Sequence, residues 1–355
     1  MCIGIGLIGV GAIARNVHIP DLLNAEHLQV TALCDIDSAA LEVGRSRLGV
    51  DPAYCFANYR DLIVCPKVDA VVIATPNHEH VNMALAAIAV KKDYCIEKPL
   101  GRTRKETDCL APATREAGVK SMVCFSYRYK AAARLAREIV LSGELGELHH
   151  ISMQYLQTWG NEESDCPLVW RFRKELSGTG VLGDLGSHMV DLATFITGRR
   201  FTEVVAQAGT LVPVRKLPDG QGTGTVDVDD YCNFLANMEG GLSASFQTTR
   251  AAYGRGNYQR LEIYGSKGGL VYMLDADGSE TDTLELCMGP TMSRTGAYKQ
   301  LVIPKEYRVN QMKSFEDLLL GKEDGLSATV EDGYESMRVL EAIERSFMTR
   351  QWVAL

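Results

Sequence analysis

The sequence predicts two domains: an α/β domain with a parallel sheet over residues 1–125, and an α+β domain with a large open, mainly antiparallel sheet over residues 126–355. The length of 355 residues already suggests about two domains, at roughly 100–200 residues each. Up to about residue 125, apolar runs alternate with helical patterns, as in βαβ units whose sheet is covered on both faces. Beyond Ser126, apolar and polar residues alternate between glycine-rich turns, which is typical of an antiparallel sheet.

Short apolar runs mark the strands of the first domain, and apolar residues at helical spacing mark segments between them. The predicted strands are Ile3–Ile8, Leu28–Cys34, Ala70–Thr75, Tyr94–Ile96 and Lys120–Phe125, and the predicted helices include Glu79–Val90 and Arg104–Ala117.

Period-2 alternation predicts the strands of the second domain. They are His150–Leu156, Val204–Leu211, Tyr231–Asn237, Gly241–Thr248, Arg260–Tyr264 and Gly269–Met273. The segment Pro218–Asp229 is rich in glycine, proline and aspartate and predicts a loop. Val330–Met348 predicts a final helix that can pack back on the first domain.

The composition argues against several kinds of partner. Thirty-seven basic and forty-five acidic residues give a formal charge of −8, and no basic block is long enough to follow a nucleic-acid backbone. No apolar stretch is long enough to span a membrane, and the amino terminus has no basic leader. The ten cysteines lie at least ten positions apart, so they lack C-x-x-C spacing and predict buried reduced thiols. We therefore expect a cytoplasmic protein with no metal and with neither nucleic-acid nor membrane partners.

A phosphate-binding loop is predicted at residues 9–14, which read Gly-Val-Gly-Ala-Ile-Ala. An earlier glycine match is rejected because it leaves too short a strand to feed the turn. In the chosen register Gly9 makes the tight turn, Gly11 lets the backbone approach a pyrophosphate, and Ala14 packs the helix against the strand. The helix N-terminus favours a phosphate. The predicted cofactor-binding residues of this loop are Gly9, Gly11, Ala12 and Ile13.

Asp35 supplies the second element of the cofactor site. It ends the second predicted strand, 21 residues after Ala14, where a ribose-binding carboxylate belongs. A carboxylate accepts hydrogen bonds from a ribose 2′-hydroxyl and repels a 2′-phosphate, and the next residue is Ile36 rather than arginine. Asp35 and Ile36 are both predicted to bind the cofactor. The sequence therefore predicts a Rossmann dinucleotide-binding domain that uses NAD, with NADP disfavoured. The alternative is a simple glycine turn with a solvated aspartate.

Polar groups follow two further strands, at the sheet edge where ligands of parallel sheets collect. The residues predicted to bind the cofactor there are Thr75, Pro76, Asn77, His80, Glu97 and Lys98. Lys98 in isolation would be a solvated surface lysine. Its place between a buried strand and Pro99, which fixes the turn, favours a site residue instead.

A glycine-rich run over residues 178–191 predicts a further ligand site at a helix entry. If the helix begins near Asp184, then Asp184, His188 and Asp191 share one face, so a carboxylate can orient the imidazole. A capped helix with a packed histidine is the alternative.

These motifs together resemble the Gfo/Idh/MocA family, named after glucose–fructose oxidoreductase, inositol dehydrogenase and rhizopine catabolism proteins. The matching segments span nearly the whole chain and are Gly9-x-Gly11-x-x-Ala14, Thr75-Pro76-Asn77-x-x-His80, Glu97-Lys98-Pro99, Gly180-x-Leu182-x-Asp184-x-Gly186-x-His188-x-x-Asp191, Tyr264–Gly268 and Glu331-Asp332-Gly333. The resemblance implies an NAD(P)-dependent oxidoreductase acting on a secondary hydroxyl of a sugar, glycoside or cyclitol.

The resemblance also implies three catalytic residues, Lys98, Asp184 and His188. Oxidation of an alcohol needs a base for the hydroxyl proton, and a histidine suits that task near neutral pH. We assign His188 as the base, Asp184 as its orienting carboxylate, and Lys98 as the cation that binds the hydroxyl and stabilises the developing alkoxide. The roles of Lys98 and His188 can be exchanged.

A loop rich in tryptophan and arginine is predicted to contact the substrate, because aromatic faces pack on the C–H faces of a pyranose and arginines bind hydroxyls or an acidic substituent. The predicted substrate-binding residues are Tyr127, Arg128, Trp159, Trp170 and Arg171, together with Lys98, Asp184 and His188. Ser126 stands where many members of the family carry asparagine, and residues 130–133 lack their usual proline. This segment therefore departs from the family pattern at its predicted substrate contacts.

The tryptophan-rich loop and the following S-G-x-G-x-L-G-D run resemble the inositol and glucoside 3-dehydrogenase branch, so oxidation of a pyranoside at C3 or of an inositol is favoured. One alternative is NAD-dependent glycoside cleavage through transient 3-oxidation. Another is a non-catalytic NAD-binding sensor, which would be expected to lose the catalytic residues. A homo-oligomer, dimer or tetramer, is expected because a large open sheet must cover one face.

Overall fold

The computed structural model describes residues 2–275, 282–289, 297–322 and 325–355, and the chain divides into two compact units. The first unit comprises Met1–Phe125 and Asn310–Met337, and the second comprises Ser126–Val309 and Arg338–Leu355. The sequence predicts a second domain over residues 126–355 whose last helix can pack back on the first domain, whereas in the structure residues 310–337 belong to the first unit. Helix Val330–Thr349 accordingly contributes residues to both units.

The first unit contains a six-stranded parallel sheet with strand order β3-β2-β1-β4-β5-β6. Its strands are β1 Ile3–Ile8, β2 Leu28–Cys34, β3 Cys55–Phe56, β4 Ala70–Ile73, β5 Asp93–Ile96 and β6 Ser121–Val123. The order reverses between β1 and β4, and ligands of such sheets bind at the carboxyl ends of the strands beside this reversal. The predicted Rossmann domain is confirmed, with the two-residue strand β3 as an addition.

The helices of the first unit connect the strands of this sheet, apart from Gln311–Leu319, which joins the unit from much later in the chain. They are Ile19–Leu23, which follows the π-helical turn Ala14–His18, and Ser38–Leu48, Tyr59–Ile63, Asn77–Ala89, Arg104–Thr107, Leu110–Ala117 and Gln311–Leu319. The single helix predicted over residues 104–117 is wrong, because the chain breaks at Asp108. Pro112 has no N–H group to donate to the carbonyl of Asp108. In a continuous helix its ring would also clash with that carbonyl.

The second unit contains a nine-stranded sheet with order β16-β15-β14-β13-β7-β12-β11-β8-β17, and a separate hairpin of β9 and β10. Its strands are β7 Leu148–Leu156, β8 Phe201–Gly209, β9 Val214–Lys216, β10 Thr223–Thr225, β11 Tyr231–Met238, β12 Leu242–Thr249, β13 Tyr258–Gly265, β14 Gly268–Leu274, β15 Thr283–Met288, β16 Lys299–Gln300 and β17 Val353–Ala354. Every described pair is antiparallel except β7 with β12. The mainly antiparallel sheet is thus confirmed, but the predicted loop 218–229 contains β10.

The sheet of the second unit has one buried face and one more open face. Along β11, the side chains of Cys232, Phe234, Ala236 and Met238 are buried, while Leu235 between them is 52% exposed. Helices Ala131–Leu141 and Ser187–Thr197 pack against each other and against strands of this sheet. In the part of the chain that the structure describes, none of the helices has the length and apolar character needed to cross a membrane.

Candidate active site

The predicted phosphate loop has the backbone that its glycines require. Gly9 adopts a positive φ of 89°, and a Cβ there would lie 2.5 Å from the Ala74 carbonyl oxygen. At Gly11, by contrast, a Cβ would meet no atom within 4 Å, which leaves open space beside the backbone. Ala14 is fully buried and starts the helical turn. A tight turn followed by an open, side-chain-free backbone fits the pyrophosphate of a dinucleotide.

Asp35 lies directly after β2 and contacts the same loop. One carboxylate oxygen accepts a hydrogen bond from the Val10 amide at 2.7 Å, and the other accepts one from the Asp37 amide at 2.9 Å. The neighbouring Ile36 is 94% exposed. Asp35 therefore fixes the loop, and neither of the two residues that follow it, Ile36 and Asp37, is basic.

The turn after β5 is held by buried groups. The Glu97 carboxylate accepts a hydrogen bond from the Lys98 amide at 3.0 Å, and its other oxygen lies 2.9 Å from His18 Nε2. Burial acts to raise the pKa of Glu97, but the bond from His18 and the nearby positive charges hold it below its usual value. The carboxylate that bonds to the Lys98 amide is therefore ionised near neutral pH, and Lys98 itself is half-buried.

His80 contacts the backbone at the ends of two strands through its two ring nitrogens. It is fully buried, with Nδ1 2.8 Å from the Pro99 carbonyl oxygen and Nε2 2.9 Å from the Thr75 carbonyl oxygen. His80 is predicted from the sequence to bind the cofactor, but in the structure its two ring nitrogens face backbone carbonyls. Its contribution is to join the two strand ends from which Thr75 and Lys98 extend.

His188 is placed by a hydrogen-bonded helix entry in the second unit. It is the second residue of helix Ser187–Thr197, which follows the π-helical turn Leu182–Gly186 that contains Asp184. The Asp229 carboxylate accepts hydrogen bonds from the amides of Gly180 and Leu182, both at 2.7 Å. A Cβ at Gly180 would lie 1.9 Å from the Asp229 carbonyl oxygen, so only glycine fits this approach.

Two tyrosine rings flank the His188 imidazole. The Tyr127 ring lies edge-on at a centroid distance of 4.7 Å, and the Tyr155 ring lies at 6.2 Å. The two tyrosine hydroxyls are 2.5 Å apart, and Tyr127 also bonds to the Asn257 amide. Gln157 donates hydrogen bonds to the Tyr155 hydroxyl at 3.1 Å and to Asn257 at 2.9 Å. The hydroxyl of Tyr127 is thus part of a buried network beside His188.

The predicted arginine contacts divide into two kinds. Arg128 is buried, and its Nε and Nη2 donate to the Asp191 carboxylate, with a shortest distance of 2.5 Å. Asp191, which shares a helix face with His188, is therefore bound to Arg128. Arg171 is 39% exposed in its side chain, stacks over the Trp170 ring at 4.4 Å, and has Nε 3.7 Å from Asp184 Oδ2. Arg171 therefore stands beside a predicted catalytic carboxylate, whereas burial of Arg128 favours a structural role.

Arg250 is not among the residues predicted from the sequence, yet it is fully buried and contacts the tryptophan loop at Trp159 and Arg171. Its guanidinium bonds to Asp230 Oδ1 at 2.8 Å, to the Asp229 carbonyl at 3.1 Å and to the Arg171 carbonyl at 3.2 Å. It also lies over the Trp159 ring at 5.4 Å. Trp159 packs on Phe172 and donates its indole N–H to Gln157. These contacts give Trp159 a place in the loop's own core.

Among the described residues, one group of side chains offers donors for a metal ion: His18, Glu97 and Cys124, with donor atoms within 4.8 Å of one another. The hydrogen bond between His18 and Glu97 already accounts for two of these donors. Cys124 is buried, and its Sγ lies 3.1 Å from the Cys95 Sγ.

The Rossmann sheet, its open glycine loop and the Asp35 carboxylate define an NAD-binding protein. Residues 3–125 match an oxidoreductase family described by its NAD-binding Rossmann fold, and residues 133–271 match the GFO/IDH/MocA C-terminal domain. The chain belongs to the Gfo/Idh/MocA oxidoreductase family. This confirms the resemblance seen in the motifs and the prediction of NAD.

Two curated relatives act on polyols by name. Levoglucosan dehydrogenase of Pseudarthrobacter phenanthrenivorans is 36% identical over 228 residues, which cover 61% of this chain and 58% of that protein. Myo-inositol 2-dehydrogenase of Thermotoga maritima is 29% identical over 264 residues, covering 74% of this chain and 73% of that protein.

Solved structures match the whole chain. An oxidoreductase domain protein from Kribbella flavida has a TM-score of 0.88 at 32% identity and covers 100% of this chain and 99% of its own. Levoglucosan dehydrogenase in complex with NADH and L-sorbose has a TM-score of 0.87 at 27% identity, covering 99% and 98%.

Proposed function

We propose that this chain is an NAD-dependent dehydrogenase that transfers a hydride between a secondary hydroxyl of an uncharged sugar, glycoside or cyclitol and the nicotinamide. Oxidation of a pyranoside at C3 is the favoured reaction. The observation that carries the proposal is that Lys98, Asp184 and His188 are all retained, each in a local setting that suits a site. Lys98 follows a buried strand on a fastened turn, and His188 stands at a helix entry approached by glycines.

Each of the three residues has a distinct task in the proposed mechanism. His188 takes the hydroxyl proton, Asp184 orients the imidazole, and the Lys98 ammonium binds the same hydroxyl and stabilises the negative charge that develops on its oxygen. The roles of Lys98 and His188 can be exchanged. Bound NAD supplies the hydride acceptor. The loop at Gly9 and Gly11 and the carboxylate of Asp35 are the groups that would hold it.

The charges around the helix entry favour an uncharged substrate over a sugar phosphate. Arg171 faces Asp184 at 3.7 Å, and Arg128 and Arg250 are each ion-paired with a buried aspartate. A phosphate there would compete with these carboxylates for each guanidinium. Trp170, whose ring lies under Arg171, adds an aromatic face of the kind that packs on a pyranose.

An NADH absorbance assay tests the proposal. Purified protein is given NAD with levoglucosan, inositols, glucose, O- and C-glucosides and glucose 6-phosphate, and the glycoside reactions are also chromatographed. We expect NADH with an uncharged polyol or glycoside, and none from the His188→Ala variant. Aglycone release without NADH would point instead to glycoside cleavage through transient 3-oxidation. NAD binding with no product across the panel would contradict the proposal and favour a sensor.

We also propose that the chain forms a homo-oligomer, a dimer or a tetramer, through the open face of the second-unit sheet. The exposed Leu235 and Tyr264 on that sheet support this assignment, because burying them removes apolar surface from water. Light scattering of the wild type and of Leu235→Glu tests it. A monomeric wild type would contradict the proposal.

A reducing, cytoplasmic setting is proposed on the thiols. All ten cysteines are free, including the neighbouring pair Cys95 and Cys124. Free thiols persist in reducing compartments. Fractionation of the source cells tests this, and recovery outside the cytoplasm would contradict it.

A further inference from the structure

Two buried histidines outside the proposed catalytic set contact the turn that carries Lys98. His18 and His80 come from different segments of the first unit, and both have no exposed surface. Their ring nitrogens reach the residues immediately before and after Lys98, namely Glu97 and Pro99. The turn is therefore fastened on both sides by imidazole groups.

His18 acts on the turn through a carboxylate. Its Nε2 lies 2.9 Å from one oxygen of Glu97, and the second oxygen of Glu97 accepts the Lys98 amide at 3.0 Å. The low pKa of Glu97 keeps this carboxylate ionised near neutral pH. Hydrogen bonds to an ionised acceptor are about twice as strong as neutral ones. Since His18 ends the helical turn that follows the phosphate loop, it links that loop to the lysine.

His80 acts on the turn through backbone carbonyls. Its ring lies between the carbonyl oxygens of Pro99 and Thr75, at 2.8 and 2.9 Å, and so spans the ends of β5 and β4. Burial lowers the pKa of His80, although both carbonyl contacts act to raise it; a neutral ring donates a hydrogen bond to one of the two carbonyls, and a protonated ring donates to both. Either arrangement restrains the peptide that follows Lys98.

We propose that His18 and His80 are positioning residues that aim the Lys98 side chain at its substrate hydroxyl. The inference rests on the proposed function, in which Lys98 binds that hydroxyl. A lysine side chain has many rotamers, so fixing its amide and the following peptide restricts where the ammonium can reach. A misplacement of about 1 Å at a reacting group can cost about 100-fold in rate.

A double-mutant cycle separates positioning from general destabilisation. We expect His18→Ala and His80→Ala each to lower kcat by about 10- to 100-fold, with NADH affinity measured by fluorescence changed less than about threefold. In a Lys98→Ala background the same substitutions should cost nothing further, because their effect is exerted through the lysine. His18→Gln, which keeps a side-chain N–H donor, should recover part of the loss.

His78→Ala is the matched control, since His78 lies on the same helix as His80 and pairs with Glu79 at 3.3 Å. It should leave kcat unchanged. Equal losses in the wild-type and Lys98→Ala backgrounds would overturn the positioning role, because they would mean a general structural effect.

Amide hydrogen exchange provides a readout that does not depend on turnover. The Lys98 amide is bonded to Glu97, so its exchange should accelerate in His18→Ala and in His80→Gln but not in His78→Ala. Unchanged protection of this amide in both variants would overturn the inference even if the enzyme turned over no substrate tested. A wild type that is inactive across the polyol panel would contradict the proposed function separately.

Discussion

The cofactor loop of the first unit and the histidine site of the second unit are built by different means. The loop depends on short motifs, since Gly9 supplies a positive φ and Asp35 bonds directly to the Val10 amide. The histidine site depends on buried ion pairs between distant side chains, of which Arg250 with Asp230 is the most enclosed. We therefore expect substitutions in the cofactor loop to change ligand binding, and substitutions in the histidine site to change stability as well.

The largest expected effect comes from removing a reacting group without disturbing either scaffold. His188→Ala and Lys98→Ala should each lower kcat by about 10²- to 10⁴-fold, the usual contribution of a positioned acid or base. NADH affinity should stay near the wild-type value, because the cofactor loop is untouched. Steady-state kinetics and fluorescence titration measure the two quantities. Near wild-type turnover in either variant would show that its assignment is wrong.

The next effect should appear in stability and only in the second unit. Arg250→Met leaves the Asp230 carboxylate, which has no exposed surface, without its partner. Removing one member of a buried pair costs about 3–5 kcal/mol, and urea denaturation should report a loss of this size in the free energy of unfolding. Lys216→Met, which breaks the exposed pair with Asp165, is the control and should change stability little. Equal effects of the two substitutions would contradict the structural role assigned to the buried Arg250–Asp230 pair.

Sequence reasoning found the first region more completely than the second for a physical reason. Gly9, Asp35 and Lys98 each lie in a short motif. The residues of each motif are close together both along the chain and in the fold, so the sequence alone identifies them. The contacts of Arg250 with Asp230 and with the Arg171 carbonyl form only when strands and loops pack together. No local sequence pattern therefore predicts the role of Arg250.

The strands, too, were predicted only where a pattern within a short stretch of sequence identifies them. Most of the longer strands were predicted within a few residues, but the six-residue strand β15 was missed because its buried residues do not alternate regularly. The short strands β3, β9, β10, β16 and β17 carry too few residues for a pattern. The burial of His18 and its bond to Glu97 likewise require the folded sheet, since the two residues are 79 positions apart. A histidine near a phosphate loop and a glutamate before Lys98 were visible signals, but nothing in the sequence joined them.

A smaller effect is expected when the cofactor region is changed at its carboxylate. Asp35→Ser removes the proposed acceptor for the ribose hydroxyl and the charge that repels a 2′-phosphate. A hydrogen bond to a charged group contributes about 1.5–3 kcal/mol, so the preference for NAD over NADP in kcat/KM should fall by about 10- to 100-fold. Asp37→Asn removes the neighbouring charge while keeping the helix cap on Ala39, and it should leave the preference unchanged. A shift in the control alone would move the specificity role to Asp37.

The smallest effect should come from the hydroxyl network beside His188, and it sharpens the comparison most. Tyr155→Phe keeps the ring but removes the bonds to Tyr127 and Gln157. A buried neutral hydrogen bond contributes about 1 kcal/mol, so the loss of two should lower the free energy of unfolding by about 1–2 kcal/mol. NADH affinity should not change. Tyr59→Phe, whose hydroxyl accepts an exposed hydrogen bond from Arg60, is the control and should cost less. Because both aromatic rings remain against His188, kcat should fall only a few-fold; a loss as large as that of His188→Ala would mean that the hydroxyls take part in proton transfer and not only in packing.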